Sequence, residues 1–298
     1  MGRDIVAIFG GRGMLGTDVA AACIDKGYTV RVYDLPEFDI TDPGQMREAV
    51  NASDAVINCA AYTDVDGAET NAVLAHRVNA EAVGRLGALA KECGKWVLHI
   101  STDFVFDGKL KRPYVETDEP APINEYGKSK MAGEQLLVAS GCSHCIVRLE
   151  WTYGAHGASF VSKLIEQAQD GETLRVVNDQ IGSPTATTVV AAAICELLER
   201  RAEGIFHLAG AGHVSRFGIA QFVAERLELG VDVQPCPSST YPAPARRPLS
   251  SRFDCSKIQA LLNTPIEPWQ GPLERFLRQL DEKHSGYGRC GIHRQQLR

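Results

Sequence analysis

The sequence has no long apolar run and no excess of positive charge. No stretch of its 298 residues approaches the roughly 18–20 consecutive apolar residues that a membrane-spanning helix needs. Lys and Arg number 31 against 37 Asp and Glu, a formal net charge of −6, so no basic surface for nucleic acid is expected. The segment MGRDIVAIFGG lacks the features of a secretory signal. We expect a cytoplasmic protein without membrane or nucleic-acid partners.

Cysteine pairs with the spacing of a disulfide framework or a zinc site are also missing. The nine cysteines are scattered, several singly in apolar stretches, as at Cys23, Cys59 and Cys195, which is typical of free thiols in a reducing compartment. Cys142 and Cys145 form a C-S-H-C pair that suggests redox or metal chemistry, but a zinc site normally needs a second such pair. We interpret both as incidental thiols and assign no metal site.

Short apolar runs alternate with helical segments through the first half of the chain. Strands are predicted at 4–10, 29–34, 54–61, 95–102 and 144–151, and helices at 14–26, 43–50, 70–93 and 124–140. Strands that are apolar almost throughout and are separated by helices indicate a parallel sheet covered on both faces. We therefore expect an α/β protein.

The pattern loosens after about residue 152. Helices are predicted at 159–171, 187–201 and 216–229, and a strand at 204–210. The segment 234–250 contains five prolines and is predicted to be an ordered but irregular loop. Residues 281–298 have no apolar period and are predicted to be a flexible tail.

A glycine-rich turn, GGRGMLG at residues 10–16, follows the first strand and opens the first helix. It matches G-x-G-x-x-G from Gly11 and G-x-x-G-x-x-G from Gly10. Glycine permits a tight turn and lets backbone N–H groups approach a pyrophosphate at the positive end of a helix. Such turns are common, but the position between a first strand and a helix favours a dinucleotide site.

Asp34 ends the second strand, about 20 residues after the glycine turn, within the acidic stretch VRVYDLPEFDITDPGQ. A solvated acidic turn is one interpretation, and a carboxylate bound to the ribose hydroxyls of a dinucleotide is the other. We expect Asp34 to contact the ribose, and Glu37 and Asp42 to face solvent or cap a helix. Asp34 would also face the 2′-phosphate of NADP, and like charges about 4 Å apart repel by a few kcal/mol. The sequence therefore predicts NADH or NADPH as cofactor, with NADH favoured.

Tyr126 and Lys130 are four residues apart and share a face of the predicted helix. A phenol titrates near 10, and a nearby ammonium together with an oxidised nicotinamide ring favours the phenolate. Any helix can carry such a pair by chance. Here, however, the hydroxyl pair Ser101-Thr102 ends the preceding strand, at the edge where open α/β sheets bind ligands. The combination predicts general acid–base chemistry.

Together these segments resemble the dTDP-4-dehydrorhamnose reductase family of the extended short-chain dehydrogenases/reductases. The resemblance rests on the glycine turn and on NCAAYTDVDGAE (58–69), VNAEAV (78–83), HISTDFVFDG (99–108), PINEYGKSKMAGE (122–134), RLEWTYG (148–154) and VNDQIGSPT (177–185), and it continues through RRPLSSRFDCSKI to about residue 275. It implies a Rossmann-type doubly wound domain, mainly residues 1–152, and a smaller C-terminal α/β substrate-binding domain, mainly 153–280, with the chain free to cross between them. The implied reaction reduces the C4 ketone of a nucleotide-activated 4-keto-6-deoxy sugar, with dTDP-4-dehydrorhamnose as the expected substrate and dTDP-rhamnose as the product.

The resemblance also implies roles for individual residues. Thr102 matches the catalytic hydroxyl, Tyr126 the proton donor and Lys130 its partner, which also holds the nicotinamide ribose. Asp103 and Trp151, with Thr102, match substrate contacts, although a tryptophan at a strand end is also typical of a core. The expected cofactor contacts are Gly10, Gly13, Met14, Leu15, Gly16, Asp34, Asp39, Ile40, Ala60, Ala61, Tyr62, Tyr126 and Lys130.

Four positions, two of them adjacent, depart from the family pattern. Phe104 stands where the family motif has Tyr, Glu150 where Ser or Thr precedes the tryptophan, and Asp34-Leu35 where many relatives carry Thr-Arg. The first two leave the chemistry intact and bear on the identity of the sugar. An epimerase or dehydratase on this scaffold and a non-catalytic regulatory subunit are the alternative functions. A homodimer is expected, and some family members hold a divalent ion between subunits.

Overall fold

A computed structural model describes residues 4–169 and 173–286. The strands are β1 (Ile5–Phe9), β2 (Thr29–Tyr33), β3 (Ala55–Asn58), β4 (Trp96–Thr102), β5 (His144–Leu149), β6 (Thr152–Tyr153), β7 (Leu174–Val177), β8 (Ile181–Gly182), β9 (Thr185–Ala186), β10 (Gly204–Leu208), β11 (Val214–Ser215) and β12 (Val233–Cys236). The α-helices are α1 (Met14–Asp25), α2 (Pro43–Asn51), α3 (Ala72–His76), α4 (Ala82–Cys93), α5 (Glu125–Ser140), α6 (Phe160–Gln169), α7 (Thr187–Arg200), α8 (Arg216–Arg226), α9 (Ser256–Gln259) and α10 (Gln270–Gly286). In this part of the chain no helix is long and apolar enough to cross a membrane.

Six of these strands form one parallel sheet in the order β10-β5-β4-β3-β1-β2. The chain runs outward from β1 to β2 and then returns to the other side of β1 to form β3. Ligands of open α/β sheets bind at such a reversal, beyond the carboxyl ends of the strands. The predicted doubly wound Rossmann-type sheet is confirmed, and its reversal lies between the glycine turn and the segment after β3.

The inner strands β1 and β3 are buried on both faces of the sheet because they are apolar on both sides, whereas the edge strand β2 is partly exposed. In β1, Val6 and Ile8 pack with α1 and α7 on one face, whereas Ala7 and Phe9 pack with α2, α4 and α5 on the other. Asp42 caps α2 by accepting hydrogen bonds from the backbone N–H groups of two following residues, as expected for a carboxylate before Pro43.

The helix predicted at 70–93 begins at Ala72 and is divided by a π-helical turn, Arg77–Glu81, between α3 and α4. Gly94 ends it in the left-handed conformation. Within the π turn, the Asn79 side chain accepts a hydrogen bond from the backbone N–H of Tyr62 (2.8 Å) and donates to its carbonyl (3.1 Å) and to the Ser129 hydroxyl (2.9 Å). Asn79 thereby ties the segment after β3 to α5.

A second core is formed mainly by the apolar faces of α6, α8 and α10. The chain crosses between the two cores, since α7 and β10 lie within the second half of the sequence but pack against and extend the main sheet. The bounds of the two domains therefore stay a prediction.

Two sequence predictions for the second half were wrong in part. Residues 233–236, in and just before the proline-rich segment predicted as irregular, form β12, which pairs in parallel with β7. Pro235 is accommodated there because the two-stranded sheet leaves one side of each strand unpaired. Residues 281–286, predicted as part of a flexible tail, belong to α10. The remainder of that tail, 287–298, lies outside the described residues.

Candidate active site

A cleft of about 810 Å³ lies beyond the carboxyl ends of β1, β3 and β4 and reaches Trp151 and α8. Nearly all the site residues predicted from the sequence line it: Gly10, Gly13, Met14, Leu15, Gly16, Asp34, Asp39, Ile40, Ala60, Ala61, Thr102, Asp103, Tyr126, Lys130 and Trp151. Tyr62 is absent from that lining, within the described part of the chain. Asn79 holds its backbone, and its hydroxyl lies beside Gly67.

The glycine turn has the shape of a pyrophosphate cradle. A Cβ atom on Gly10 would lie 2.6 Å from the backbone nitrogen of Ala60, and one on Gly16 would lie 2.1 Å from the Gly10 carbonyl oxygen. Only glycine fits at either position. Helix α1 starts after Gly13, and none of the described side chains caps its first N–H groups. These donors and the helix dipole remain available to an anion in the cleft.

Asp34 is fixed at the end of the cleft beside the glycine turn. Its two carboxylate oxygens accept hydrogen bonds from the backbone N–H groups of Arg12 and Leu35, each at 2.8 Å. The Arg12 guanidinium donates to Glu37 (2.5 Å) and to the Leu35 carbonyl (3.2 Å). The pairing with Arg12 lowers the pKa of Glu37. Asp34 therefore faces the cleft, while Glu37 lies exposed and Asp42 caps α2, as predicted.

Helix α5 is positioned by two close approaches and one cap. Asn124 accepts a hydrogen bond from the N–H of Gly127 (2.7 Å). A Cβ atom on Gly127 would lie 2.2 Å from the carbonyl oxygen of Phe104, and one on Gly133 would lie 2.0 Å from that of Asn79. Because glycine lets the helix approach so closely, Tyr126 and Lys130, both on α5, reach the cleft together.

Thr102, Asp103 and Tyr126 form the polar centre of the cleft. The Thr102 hydroxyl donates to Oδ1 of Asp103 at 2.9 Å. Burial and the neighbouring Asp103 raise the pKa of Tyr126 to about 12, against a weaker lowering by the Thr102 hydroxyl. The direction is opposite to the lowering expected from Lys130, because desolvation of the phenolate dominates among the protein's own groups. Burial likewise raises the pKa of Asp103.

Lys130 is 2% exposed, and its ammonium nitrogen donates to the Ile100 carbonyl at 2.7 Å. Burial lowers its pKa to about 8, although Glu134 and Cys59 act in the opposite direction. The Nε2 atom of the fully buried His99 lies 3.4 Å from Nζ of Lys130. Lys130 is thus an amine whose charge depends on its buried neighbours.

A buried network supports the end of β4. The Ser101 hydroxyl donates to Glu134 (2.5 Å), which pairs with Arg148 through two hydrogen bonds of 2.9 and 2.6 Å. Arg148 also contacts Nε2 of His207 (3.3 Å), whose Nδ1 lies 3.1 Å from the Tyr114 carbonyl. Burial and Arg148 lower the pKa of His207 to about 3, so the imidazole is neutral. The network fixes Ser101 beside Thr102.

The far end of the cleft holds Trp151 and a residue that the sequence analysis missed, Arg216. The Arg216 guanidinium carbon lies 3.6 Å from the Trp151 ring centre. Beneath them Glu150 is fully buried, and burial, followed by the charge of Asp103, raises its pKa well above the ordinary value. In the sequence, Arg216 directly follows Ser215, which caps α8. No local pattern predicts that Arg216 contacts Trp151.

The chain is similar to known reductases over most of its length. The family model of the RmlD substrate binding domain matches residues 4–282. The dTDP-4-dehydrorhamnose reductase of Mycobacterium tuberculosis is 38% identical over 281 residues, which cover 91% of this chain and 92% of the relative. The Escherichia coli protein of the same name is 32% identical over 92% of this chain and 97% of its own length.

Solved structures give the same assignment. The dTDP-4-dehydrorhamnose reductase of Bacillus anthracis in complex with NADP superposes with a TM-score of 0.89 at 33% identity, covering 93% of this chain and 99% of its own. The UDP-glucose 4-epimerase of Thermus thermophilus in complex with NAD, 21% identical with a TM-score of 0.80, shares the fold. The chain belongs to the dTDP-4-dehydrorhamnose reductase family of the extended short-chain dehydrogenases/reductases.

Proposed function

We propose that this protein reduces the C4 ketone of dTDP-4-dehydrorhamnose to give dTDP-rhamnose, with NADH or NADPH as the reductant. The observation that carries the proposal is the convergence of Thr102, Tyr126 and Lys130 on one cleft with the glycine cradle. A regulatory subunit has no need for a buried lysine, a tyrosine and a threonine around a dinucleotide-shaped cleft. The family membership supports the choice of substrate.

The fit of the cofactor rests on the cradle. Gly10 and Gly16 leave room in the cleft for a pyrophosphate. In this proposal Asp34 accepts hydrogen bonds from the adenosine ribose, and Lys130 holds the nicotinamide ribose. When bound, the reduced nicotinamide supplies the hydride that adds to C4 of the sugar. The protein has to orient that carbon, exclude water and deliver one proton to its oxygen.

Tyr126 is the group that we assign to proton delivery. With its pKa raised to about 12, the phenol is protonated throughout the neutral range and suits donation to an oxygen that becomes negative. Thr102 lies beside it and, in this proposal, hydrogen-bonds the same oxygen. Lys130, buried one helical turn along α5, stabilises the phenolate that remains, and the phenol is restored from solvent after release.

The oligomeric state and the compartment complete the proposal. Helices α3 and α5 pack against each other and leave Val73, Leu74, Leu136 and Val138 exposed. We assign this apolar surface to a homodimer, which light scattering tests. A reaction that consumes NADH or NADPH and a nucleotide sugar belongs in the cytoplasm.

The test is oxidation of NADH or NADPH at 340 nm with dTDP-4-dehydrorhamnose, followed by NMR of the product. Formation of dTDP-rhamnose with stoichiometric cofactor oxidation supports the proposal. Conversion of a sugar nucleotide without net cofactor oxidation would instead identify an epimerase or dehydratase. Absence of turnover together with tight cofactor binding would favour a regulatory role.

A further inference from the structure

Arg216 is placed in the cleft by two aromatic rings. It is the first residue of α8, and its guanidinium carbon lies 3.6 Å from the ring centre of Trp151 and 4.7 Å from that of Phe160. Stacking of this kind restricts a planar guanidinium to one orientation while leaving its N–H groups at the edge free to donate. Arg216 lines the same cleft as Thr102 and Tyr126.

Trp151 is itself held rigidly. Its backbone φ is +42°, in the left-handed region that a tryptophan seldom adopts. Gly182 packs against the indole so closely that a Cβ atom there would lie 2.6 Å from a ring carbon. A strained backbone and a glycine contact at one side chain indicate that the ring has to stand in this orientation, and Arg216 is stacked on that ring.

Several polar atoms in this part of the cleft lack a hydrogen-bond partner. Among residues 4–169 and 173–286 the guanidinium of Arg216 contacts the two rings and donates no hydrogen bond. Among the same residues Oδ2 of Asp103 and Oε2 of Glu150 have no partner within the usual distance, although the Ser251 hydroxyl lies near enough to Asp103 to lower its pKa against the effect of burial. Asp103 is 3% exposed and lines the cleft. Buried polar groups are nearly always satisfied in native proteins, so an orphaned acceptor beside a cation without hydrogen bonds points to a ligand that supplies both a donor and an acceptor. A hydroxyl group does so.

We propose that Arg216 and Asp103 together bind the sugar hydroxyl next to the C4 ketone, which makes Arg216 a specificity-determining residue of the reaction. The assignment rests on the proposed function, since Thr102 and Tyr126 are taken to bind the ketone oxygen. Asp103 follows Thr102 directly and accepts its hydroxyl proton through the other oxygen. The hydroxyl on C3, one carbon from the ketone, is therefore the group that meets Asp103. It accepts a hydrogen bond from Arg216 and donates one to Asp103.

The charges at this end of the cleft favour a neutral hydroxyl over an anionic substituent. Asp103 lies close enough to Arg216 to raise its pKa against the lowering caused by burial. A carboxylate or phosphate at this position would meet Asp103 directly and be repelled. A hydroxyl adds no charge and completes the hydrogen bonds of both side chains.

The experiment compares two ligands and three variants in the presence of NADP⁺ or NAD⁺. Calorimetry gives the Kd of dTDP-rhamnose and of its 3-deoxy analogue for the wild type, Arg216→Met and Arg216→Lys. Arg226→Met is the matched control, because Arg226 lies on the same helix but outside the cleft. A hydrogen bond with a charged partner corresponds to about 10- to 100-fold in affinity, so Arg216→Met should weaken dTDP-rhamnose binding by that factor. Binding of the 3-deoxy analogue should change less than threefold.

Each outcome decides the role of Arg216. Equal losses for both ligands would overturn the proposal and assign Arg216 to the pyrophosphate or to packing, and so would no loss for either. Arg216→Lys should recover only part of the affinity, since an ammonium lacks the fixed fork of donors. Full recovery would show that charge alone matters and would also contradict the proposal. Turnover of dTDP-4-dehydrorhamnose by the wild type is scored separately, because its absence overturns the proposed function while the binding ratios still report on Arg216.

Discussion

The Nε2 atom of His99 carries a proton and points at the amine of Lys130, 3.4 Å away. The tautomer follows from Asn58, whose carbonyl oxygen accepts from the backbone N–H of Ala60 (3.1 Å). Its amide nitrogen therefore donates to Nδ1 of His99 (3.1 Å), which leaves the ring proton on Nε2. Burial, with the charge of Lys130 as a smaller cause, lowers the pKa of His99, so the ring is neutral. An N–H donor thus faces an ammonium that also donates, and this arrangement opposes protonation of Lys130.

Asn58→Asp should reverse that effect. A carboxylate at position 58 accepts only, so His99 has to carry its proton on Nδ1 and present Nε2 as an acceptor to Lys130. The ammonium is then stabilised and its pKa rises from about 8. If the ammonium is the active form, the alkaline limb of kcat/KM should move to higher pH by about one unit.

The matched control is Asn51→Asp, which makes the same change at an exposed position in α2. Its pH profile should overlay that of the wild type. An alkaline limb that stays in place in Asn58→Asp, or moves to lower pH, would contradict the link through His99.

Tyr126→Phe should lower kcat by about 10²- to 10⁴-fold, the range typical of a positioned general acid, and leave the cofactor Kd within about threefold. The physical reason is that the phenol is the only proton donor that we assign to the ketone oxygen. Tyr153→Phe is the control, because that buried hydroxyl has no hydrogen-bond partner within the described residues and lies outside the cleft. Stopped-flow assays of both variants decide the point, and turnover of Tyr126→Phe near the wild-type rate would remove Tyr126 from the mechanism.

The features that could be predicted from the sequence are those that depend on residues close together in the chain. The glycine turn and the spacing of Tyr126 and Lys130 each lie within one loop or one helix, so geometry follows from the order of residues. The inner strands β1 and β3 could be predicted for a similar reason, since they are apolar on both faces. β12 could not, because Pro235 disfavours a strand except where one side stays unpaired, and that depends on the partner β7.

The charges of the site depend on contacts made only on folding. Arg216 meets Trp151 and Asp103 because α8 packs beside the main sheet, and no pattern in the sequence records that meeting. For the same reason, the rise in the Tyr126 pKa caused by the protein's own groups could not be predicted. The sequence shows that Lys130 is four positions from Tyr126. It does not show the burial that dominates the pKa of Tyr126.

Glu150→Gln should stabilise the protein at alkaline pH. Because burial raises the pKa of Glu150, the native state keeps its proton to a higher pH than the unfolded chain, which releases it above the ordinary pKa of 4.5. The unfolded state therefore binds fewer protons, and wild-type stability falls as pH rises from 4.5 toward the raised pKa, by at most about 1.4 kcal/mol per pH unit from this group. Glutamine resembles the neutral acid and removes that loss. Thermal midpoints at pH 5 and pH 8 should differ less in the variant than in the wild type.

Glu134→Gln is the contrasting control for that prediction. Glu134 is also buried, but it is paired with Arg148, and breaking a buried pair costs about 3–5 kcal/mol. This variant should be destabilised at both pH values. If Glu150→Gln behaves in the same way, Glu150 is ionised in the native state and paired with Arg216.

The cofactor preference depends on the relative energies of two charge interactions, the repulsion between Asp34 and a 2′-phosphate and the pairing of Arg12 with Glu37. The fixed carboxylate of Asp34 would repel a 2′-phosphate by a few kcal/mol at about 4 Å. Arg12 can offset this only by leaving Glu37, with which it forms an exposed pair, and such pairs contribute about 0–1 kcal/mol. A freed Arg12 would gain a phosphate contact but would still lie beside Asp34.

We therefore expect kcat/KM for NADH to exceed that for NADPH, and Asp34→Thr to move the ratio toward NADPH by about tenfold or more. Glu37→Gln, which releases Arg12 and keeps Asp34, should move it in the same direction by a smaller factor. A wild type that strongly prefers NADPH, or a ratio unmoved by Asp34→Thr, would show that Asp34 does not read the ribose.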